Sequence, residues 1–173
     1  LFREYIAQLV EHNKKFLILG NINSITYKEV FPLIKKNKLW LGYNCVRWFF
    51  IPDGTLFEAA RSFWYTNLDT TKRHEEITLY KKYSVKEYPK YDNYEAIEVS
   101  RVFDIPVNYN KVMGVPVTFL DKWNPDQFEI IGMAEDNGKG MSGGIWDGEN
   151  PHCIINKQKK FKRIFIKNKK PQK

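Results

Sequence analysis

Cysteine is scarce in this chain of 173 residues, which has two, Cys45 and Cys153. Neither has a partner at metal-ligand spacing, and two thiols build no disulfide framework. A reducing, cytosolic setting is the expectation. Histidine is as thin: His12, His74 and His152 lie far apart, and none sits in a metal or nucleophile motif. His152-Cys153 is one pair where zinc wants four ligands, or three plus water. Long apolar runs are missing too. No segment approaches the ~20 apolar residues of a membrane span, so no membrane partner is expected. Asp and Glu are scattered, and hydrolase chemistry has little to stand on. No catalytic residue and no metal site is expected among these residues.

What is present is positive charge and aromatic area. Lys plus Arg is 28 against 20 for Asp plus Glu, a formal charge of +8. That balance favours a polyanion such as nucleic acid, or an anionic membrane, and does not choose between them. Aromatics are 16% of the chain, with five Trp and ten Tyr, enough for a core and for stacking or interface surfaces beyond it. The length fits one domain, or one with an appendage.

The stretch KKFLILGNINSITYKEVF at 14–31 organises the first half. Phe16-Leu17-Ile18-Leu19 is apolar on both faces, as a central strand of a covered parallel sheet must be. Gly20-Asn21 is a turn signal. Asn23 or Ser24 is placed to cap a helix over 24–36, with Tyr27, Val30, Phe31 and Ile34 at helical spacing. Residues 1–11 carry a stripe of Phe2, Tyr5, Ile6, Leu9 and Val10, which predicts a helix. It opens without Met or a cap residue, which predicts a piece of a longer protein. The turn at 20–24 is the first expected site edge, because ligands of open α/β sheets sit beyond the carboxyl ends of strands. Further strands are expected at 39–42, 47–52, 61–68 and 77–80. Pro52-Asp53-Gly54 is a turn, and an antiparallel hairpin closes one side of the sheet. The expected fold class is α/β.

Residues 80–125 change character. Tyr80, Tyr83, Tyr88, Tyr91 and Tyr94 recur with no helical or strand period, and Pro89, Pro106 and Pro116 break long elements. Loop-rich structure held by aromatics is the expectation, with short strands at 96–99 and 128–132. Gly138-Lys139-Gly140-Met141-Ser142-Gly143 has the letters of a dinucleotide fingerprint, but no helix-forming segment follows, so it reads as a loop. Cys153-Ile154-Ile155-Asn156 and 161–166 predict a final hairpin, in which Phe161, Ile164 and Ile166 alternate with Lys162, Arg163 and Lys167.

Three blocks carry a resemblance: FLILGNINSITYKEVFPLIKKNKLWLG; Trp64-Tyr65-Thr66-Asn67-Leu68 with Lys72-Arg73; and the run from Tyr88-Pro89-Lys90 through Gly114-Val115-Pro116 to Phe128-Glu129-Ile130-Ile131-Gly132. In these the chain resembles the EcoRI-type adenine-specific DNA methyltransferases. The resemblance implies the C-terminal half of a Rossmann-like, S-adenosylmethionine-dependent methyltransferase sheet plus a loop-rich, β-containing target-recognition region. It puts the catalytic part at 1–80 and the recognition region, with its C-terminal β-hairpin, at 81–173. Residues 14–21 become the fifth strand, and 39–68 contain the sixth and seventh. The family's donor-binding glycine loop and its Asn-Pro-Pro-aromatic adenine motif have no match here; Asn124-Pro125 and Asn150-Pro151 lack the second Pro and the aromatic. The chain alone is therefore expected to be inactive.

Double-stranded DNA is the partner the resemblance implies, and S-adenosylmethionine the cofactor of the whole protein. Phe2 is the candidate to line the cofactor pocket, with core packing as the competing role. Trp64 and Tyr65 are the candidates for the target-base pocket, with Trp64 expected in the core and Tyr65 on the opposite face. Lys72, Arg73 and His74 are the leading phosphate contacts. Lys90, Lys139 and the hairpin residues Lys157, Lys159, Lys160, Lys162 and Arg163 follow them. A truncated sheet would expose an edge, which predicts pairing into a dimer. The alternative is a non-enzymatic basic nucleic-acid-binding module; a plain α/β domain whose charge serves solubility is a third reading.

Overall fold

A computed structural model describes residues 2–135 and 140–172, with only the backbone of residue 60. It is mixed α/β, rich in sheet, and divides into two compact units, Leu1–Lys72 and Arg73–Lys173. Among the described residues, no helix is long and apolar enough to cross a membrane.

The first unit opens with the expected helix, α1 (Phe2–Glu11). Ile6 is fully buried, whereas Tyr5 of the same stripe is exposed. Strand β1 (Leu17–Asn21) follows, but the parallel arrangement does not. β1 pairs antiparallel with β3 (Leu56–Thr66), which also pairs antiparallel with β2 (Trp40–Phe50), in the order β1-β3-β2. Leu17 is 54% exposed, so β1 is not covered on both faces. A four-residue apolar run specifies a strand, but not the direction or number of its neighbours. Side chains fix the register: Thr66 Oγ1 donates to Phe16 O at 2.6 Å, and the Asn67 amide bonds both Phe16 N and Lys14 O.

The continuous helix at 24–36 is replaced by two short pieces, a 3₁₀ turn (Ile22–Thr26) and α2 (Phe31–Lys35). Pro32 explains the break, because it has no N–H and its ring clashes with the carbonyl four residues back; it can begin a helix but not continue one. The cap is Asn21, whose Oδ1 accepts from Asn23 N at 2.9 Å, rather than Asn23 or Ser24. The strands expected at 39–42 and 47–52 are one strand, β2, carried through two register shifts. The hairpin with β3 and its turn at 52–54 form as expected, with Asp53 Oδ1 accepting from Thr55 N and Gly54 at φ 84°.

The second unit is built on a four-stranded sheet, β4-β5-β9-β6. β4 (Ile97–Glu98) runs parallel to β5 (Met113–Pro116), while β9 (Arg163–Asn168) lies antiparallel between β5 and β6 (Phe128–Met133). The expected final hairpin is thereby corrected. Residues 154–155 (β7) turn back onto 158–159 (β8), and β9 becomes a central strand, buried at every position but Lys167. Residues 77–80 form no strand. The main chain of Ile77 bonds instead to the Gln127 amide, N to Oε1 and O to Nε2, both at 2.8 Å. Between the strands, tyrosines hold the loops: Tyr83 packs on Tyr88 and Tyr109, and Tyr91, Tyr94 and Phe165 cluster with Cys153 and Ile155.

Candidate nucleic-acid interface

The β7–β8 hairpin turns on Asn156 and Lys157, both left-handed at φ 49° and 63°. Asn tolerates this conformation; Lys does so at a steric cost of about 1–2 kcal/mol. The Asp92 carboxylate offsets it by accepting from both amides, Asn156 N at 3.2 Å and Lys157 N at 2.9 Å. Asn93 secures the hairpin's base, donating to Asn150 O and His152 O and accepting from Ile154 N at 3.1 Å. Lys157 and Lys159 project from this pinned turn and are exposed.

Beyond it the backbone stays pinned. Lys160 N donates to Cys153 O at 2.8 Å, and Arg163 Nη1 donates to Phe161 O at 3.1 Å. Lys159, Lys160, Phe161 and Lys162 line one open cavity of about 400 Å³. Phe161 was expected within the final strand. It lies before β9 and is 87% exposed.

Arg163 lies on the other side of that backbone. It is 8% exposed, and its guanidinium meets Glu98 with Nη2 to Oε1 at 2.6 Å and Nε to Oε2 at 3.1 Å. Tyr91 and Ser100 hydroxyls also donate to Glu98. Burial alone would lower the Arg163 pKa, but the Glu98 carboxylate holds it raised, and burial drives the Tyr91 phenol far up. Arg163 is thus an internal ion pair, not a phosphate contact. Gly114 is required beneath this cluster, because a Cβ there would collide with the Tyr91 ring.

The leading basic group, Lys72-Arg73-His74, forms a 3₁₀ turn (Thr71–His74) rather than a loose loop. Lys72 Nζ donates to Tyr43 O at 2.9 Å, Arg73 is buried, and His74 is exposed. The three side chains therefore do not present one charged face. Lys90 is exposed at an isolated bridge with Ile97. Lys139 lies outside the described residues. In the glycine-rich stretch next to it, Ser142 N donates to Glu135 Oε1 at 2.8 Å. Burial tends to raise the Glu135 pKa, but the Ser142 hydroxyl and the amides of Ser142, Met141 and Gly140 outweigh it and hold the carboxyl below its usual value. Those amides serve a carboxylate of the chain itself.

The aromatic candidates of the first unit are packed together. The Phe2 ring lies edge-on to Tyr65, centroids 5.1 Å apart, and over Gly20, where a Cβ would strike it. Tyr65 is fully buried and donates its hydroxyl to Asn21 O at 2.8 Å; burial pushes its pKa up. The expected arrangement is reversed, with Tyr65 in the core and Trp64 half-buried. Tyr65 has no face to offer a base, and the turn at 20–24 is closed by its own hydrogen bonds. These residues form no cradle for a nucleoside cofactor.

Sequence reading missed Asp92, Asn93, Glu98 and the exposure of Phe161. The first three act across some 60 residues of chain, with no local pattern to mark them. A second cavity in this unit, of about 260 Å³, is lined by Lys81 and by the acidic Glu87, Glu98 and Asp104, which disfavours a polyanion there. Among the described residues, no three His, Cys, Asp or Glu gather to hold a metal ion.

Comparison with known proteins supplies the context for this surface. The profile of the family described as adenine-specific methyltransferase EcoRI matches residues 1–169. The chain is 46% identical to the Type II methyltransferase M.EcoRI of Escherichia coli, with 100% of this chain and 56% of that protein aligned. It is 35% identical to M.MgeORF184P of Mycoplasma genitalium and 36% identical to M.MpnI of Mycoplasma pneumoniae, each over 76% of this chain and 48% of the relative. The chain thus spans about half the length of the curated relatives it matches. No solved structure matches it.

Proposed function

The chain belongs to the EcoRI adenine-specific methyltransferase family, and from that membership we propose that it is part of an enzyme that methylates the N6 amine of adenine in a specific duplex sequence. The observation that carries this reading is 46% identity to M.EcoRI along the whole chain. S-adenosylmethionine is the methyl donor the family implies. Phe2 fills the space over Gly20 and Tyr65 takes the Asn21 carbonyl, so this turn does not fit that donor, and we assign it to parts of the protein outside this chain. The chain alone is inert on this reading.

We read β1, β2 and β3 as the fifth, sixth and seventh strands of the methyltransferase sheet. The helix-to-strand step from α1 to β1 supports this, as does a β1 edge with no strand paired to it among the described residues. The second unit is read as the target-recognition region. Chemistry on a base requires that it leave the stack, so a basic, aromatic-bearing surface suits the task. The exposed Lys157 and Lys159, with Lys160 and Lys162, are the phosphate contacts we favour, followed by Lys90 and His74. The setting is the cytoplasm of a bacterial restriction-modification system. The free β1 edge is a site for self-association of the isolated chain, to be read by sedimentation equilibrium.

The test is expression of the full-length polypeptide in a host lacking adenine methylation, followed by nucleoside mass spectrometry of the host DNA. N6-methyladenine above the empty-vector level supports the reading. Its absence, with soluble protein present, favours the non-enzymatic binding module.

A further inference from the structure

We propose that Phe161 is a base-contacting residue: its ring stacks on a nucleobase of the bound DNA while the adjoining lysines hold the phosphates. This rests on the reading that the protein acts on duplex DNA.

The ring is displayed rather than left over. Phe119, Phe128 and Phe165 of the same unit are completely buried and Phe103 is 62% exposed, while Phe161 stands furthest out at 87%. A single exposed apolar side chain is ordinary by itself. Here, however, the backbone beneath the ring is fixed from both sides. Lys160 N is bonded to the carbonyl of Cys153, which is 1% exposed. The carbonyl of Phe161 is held by Arg163, itself locked on Glu98. A ring presented from a held backbone loses little conformational freedom on binding. The Glu98–Arg163 pair is then a positioning device for Phe161.

Charge selects the occupant. The residues lining the cavity are Lys159, Lys160, Phe161 and Lys162, with no carboxylate among them, in a chain of +8. The volume, about 400 Å³, falls within the range of ligand-sized clefts. Lysines alone supply sequence-independent, salt-sensitive attraction. An aromatic ring among them adds what every base offers, a π-face, and bases become reachable where the stack is opened for chemistry.

The experiment is equilibrium binding of the full-length protein to a fluorescein-labelled duplex over a salt series, with Phe161→Ala, Phe161→Tyr and Lys160→Ala beside it. Phe161→Ala is expected to bind about tenfold more weakly or worse, with an unchanged salt slope and an unchanged melting temperature. Phe161→Tyr keeps the ring and is expected to keep the affinity. Lys160→Ala is expected to reduce the slope by about one. Wild-type affinity in Phe161→Ala overturns the inference and leaves the DNA reading standing. A marked loss of melting temperature in that variant also overturns it, by showing the ring to be packed. Absence of salt-dependent duplex binding in the wild type removes the DNA reading and the inference with it.

Discussion

The Arg163 guanidinium closes on the Glu98 carboxylate across 65 residues of chain, Nη2 to Oε1 at 2.6 Å, with both side chains under a tenth exposed. It ties β9, the central strand, to β4, which lies at the sheet edge beyond β5. Taking two charges out of water is costly, and the geometry here, with two further hydroxyl donors on Glu98, is what makes the pair tolerable.

Breaking one side of that pair strands the other. Arg163→Met or Glu98→Gln is expected to destabilise the protein by about 3–5 kcal/mol in urea denaturation. The double replacement Glu98→Leu with Arg163→Met is expected to recover part of the loss, since no buried charge then remains; Tyr91 and Ser100 still lose their acceptor. Single variants as stable as the wild type would show the pair to be solvated.

Tyr65 gives a smaller, cleaner test. Its hydroxyl reaches Asn21 O at 2.8 Å from a ring with no exposure. Tyr65→Phe removes that bond and the longer one from the same hydroxyl to Ile22 O at 3.5 Å, and is expected to cost about 1 kcal/mol while leaving duplex affinity unchanged. A loss of DNA affinity at unchanged stability would return Tyr65 to the target-base pocket.

Glu135 is expected to make the second unit acid-sensitive. Its folded-state pKa lies below the ordinary 4.5, so folding favours the ionised form. The stabilisation is complete above the unfolded value and is lost as pH falls through the lowered folded value. Urea midpoints measured from pH 7 down to about pH 3 are expected to fall less steeply in Glu135→Gln than in the wild type. Parallel curves would mean that the amides of 140–142 do not depend on this carboxylate.

The family, the α1–β1 step, the β2–β3 hairpin and the loop-rich tyrosine region were legible in the sequence because each is marked locally: helical spacing at Ile6, the turn at Pro52-Asp53-Gly54, prolines breaking any long element. Partner and direction were not. Nothing in Phe16-Leu17-Ile18-Leu19 says that β1 pairs antiparallel with β3, and the alternation of 161–167 says nothing of a strand buried on both faces. Charge misled in the same way. Lys and Arg look alike as letters, yet Arg163 is internal because Glu98, 65 residues away, is there to receive it. The apolar letter of Phe161 hid the opposite error, an aromatic held in water.

Methyl transfer to DNA by the full-length protein tests the account most directly. The substrate is duplex DNA with labelled S-adenosylmethionine, and this chain is run alone beside the full-length protein. Label recovered as N6-methyladenine with the full-length protein, and none with the chain alone, is the expected result. Absence of label with either, alongside intact salt-dependent DNA binding, would contradict the enzyme reading and leave a nucleic-acid-binding module in its place.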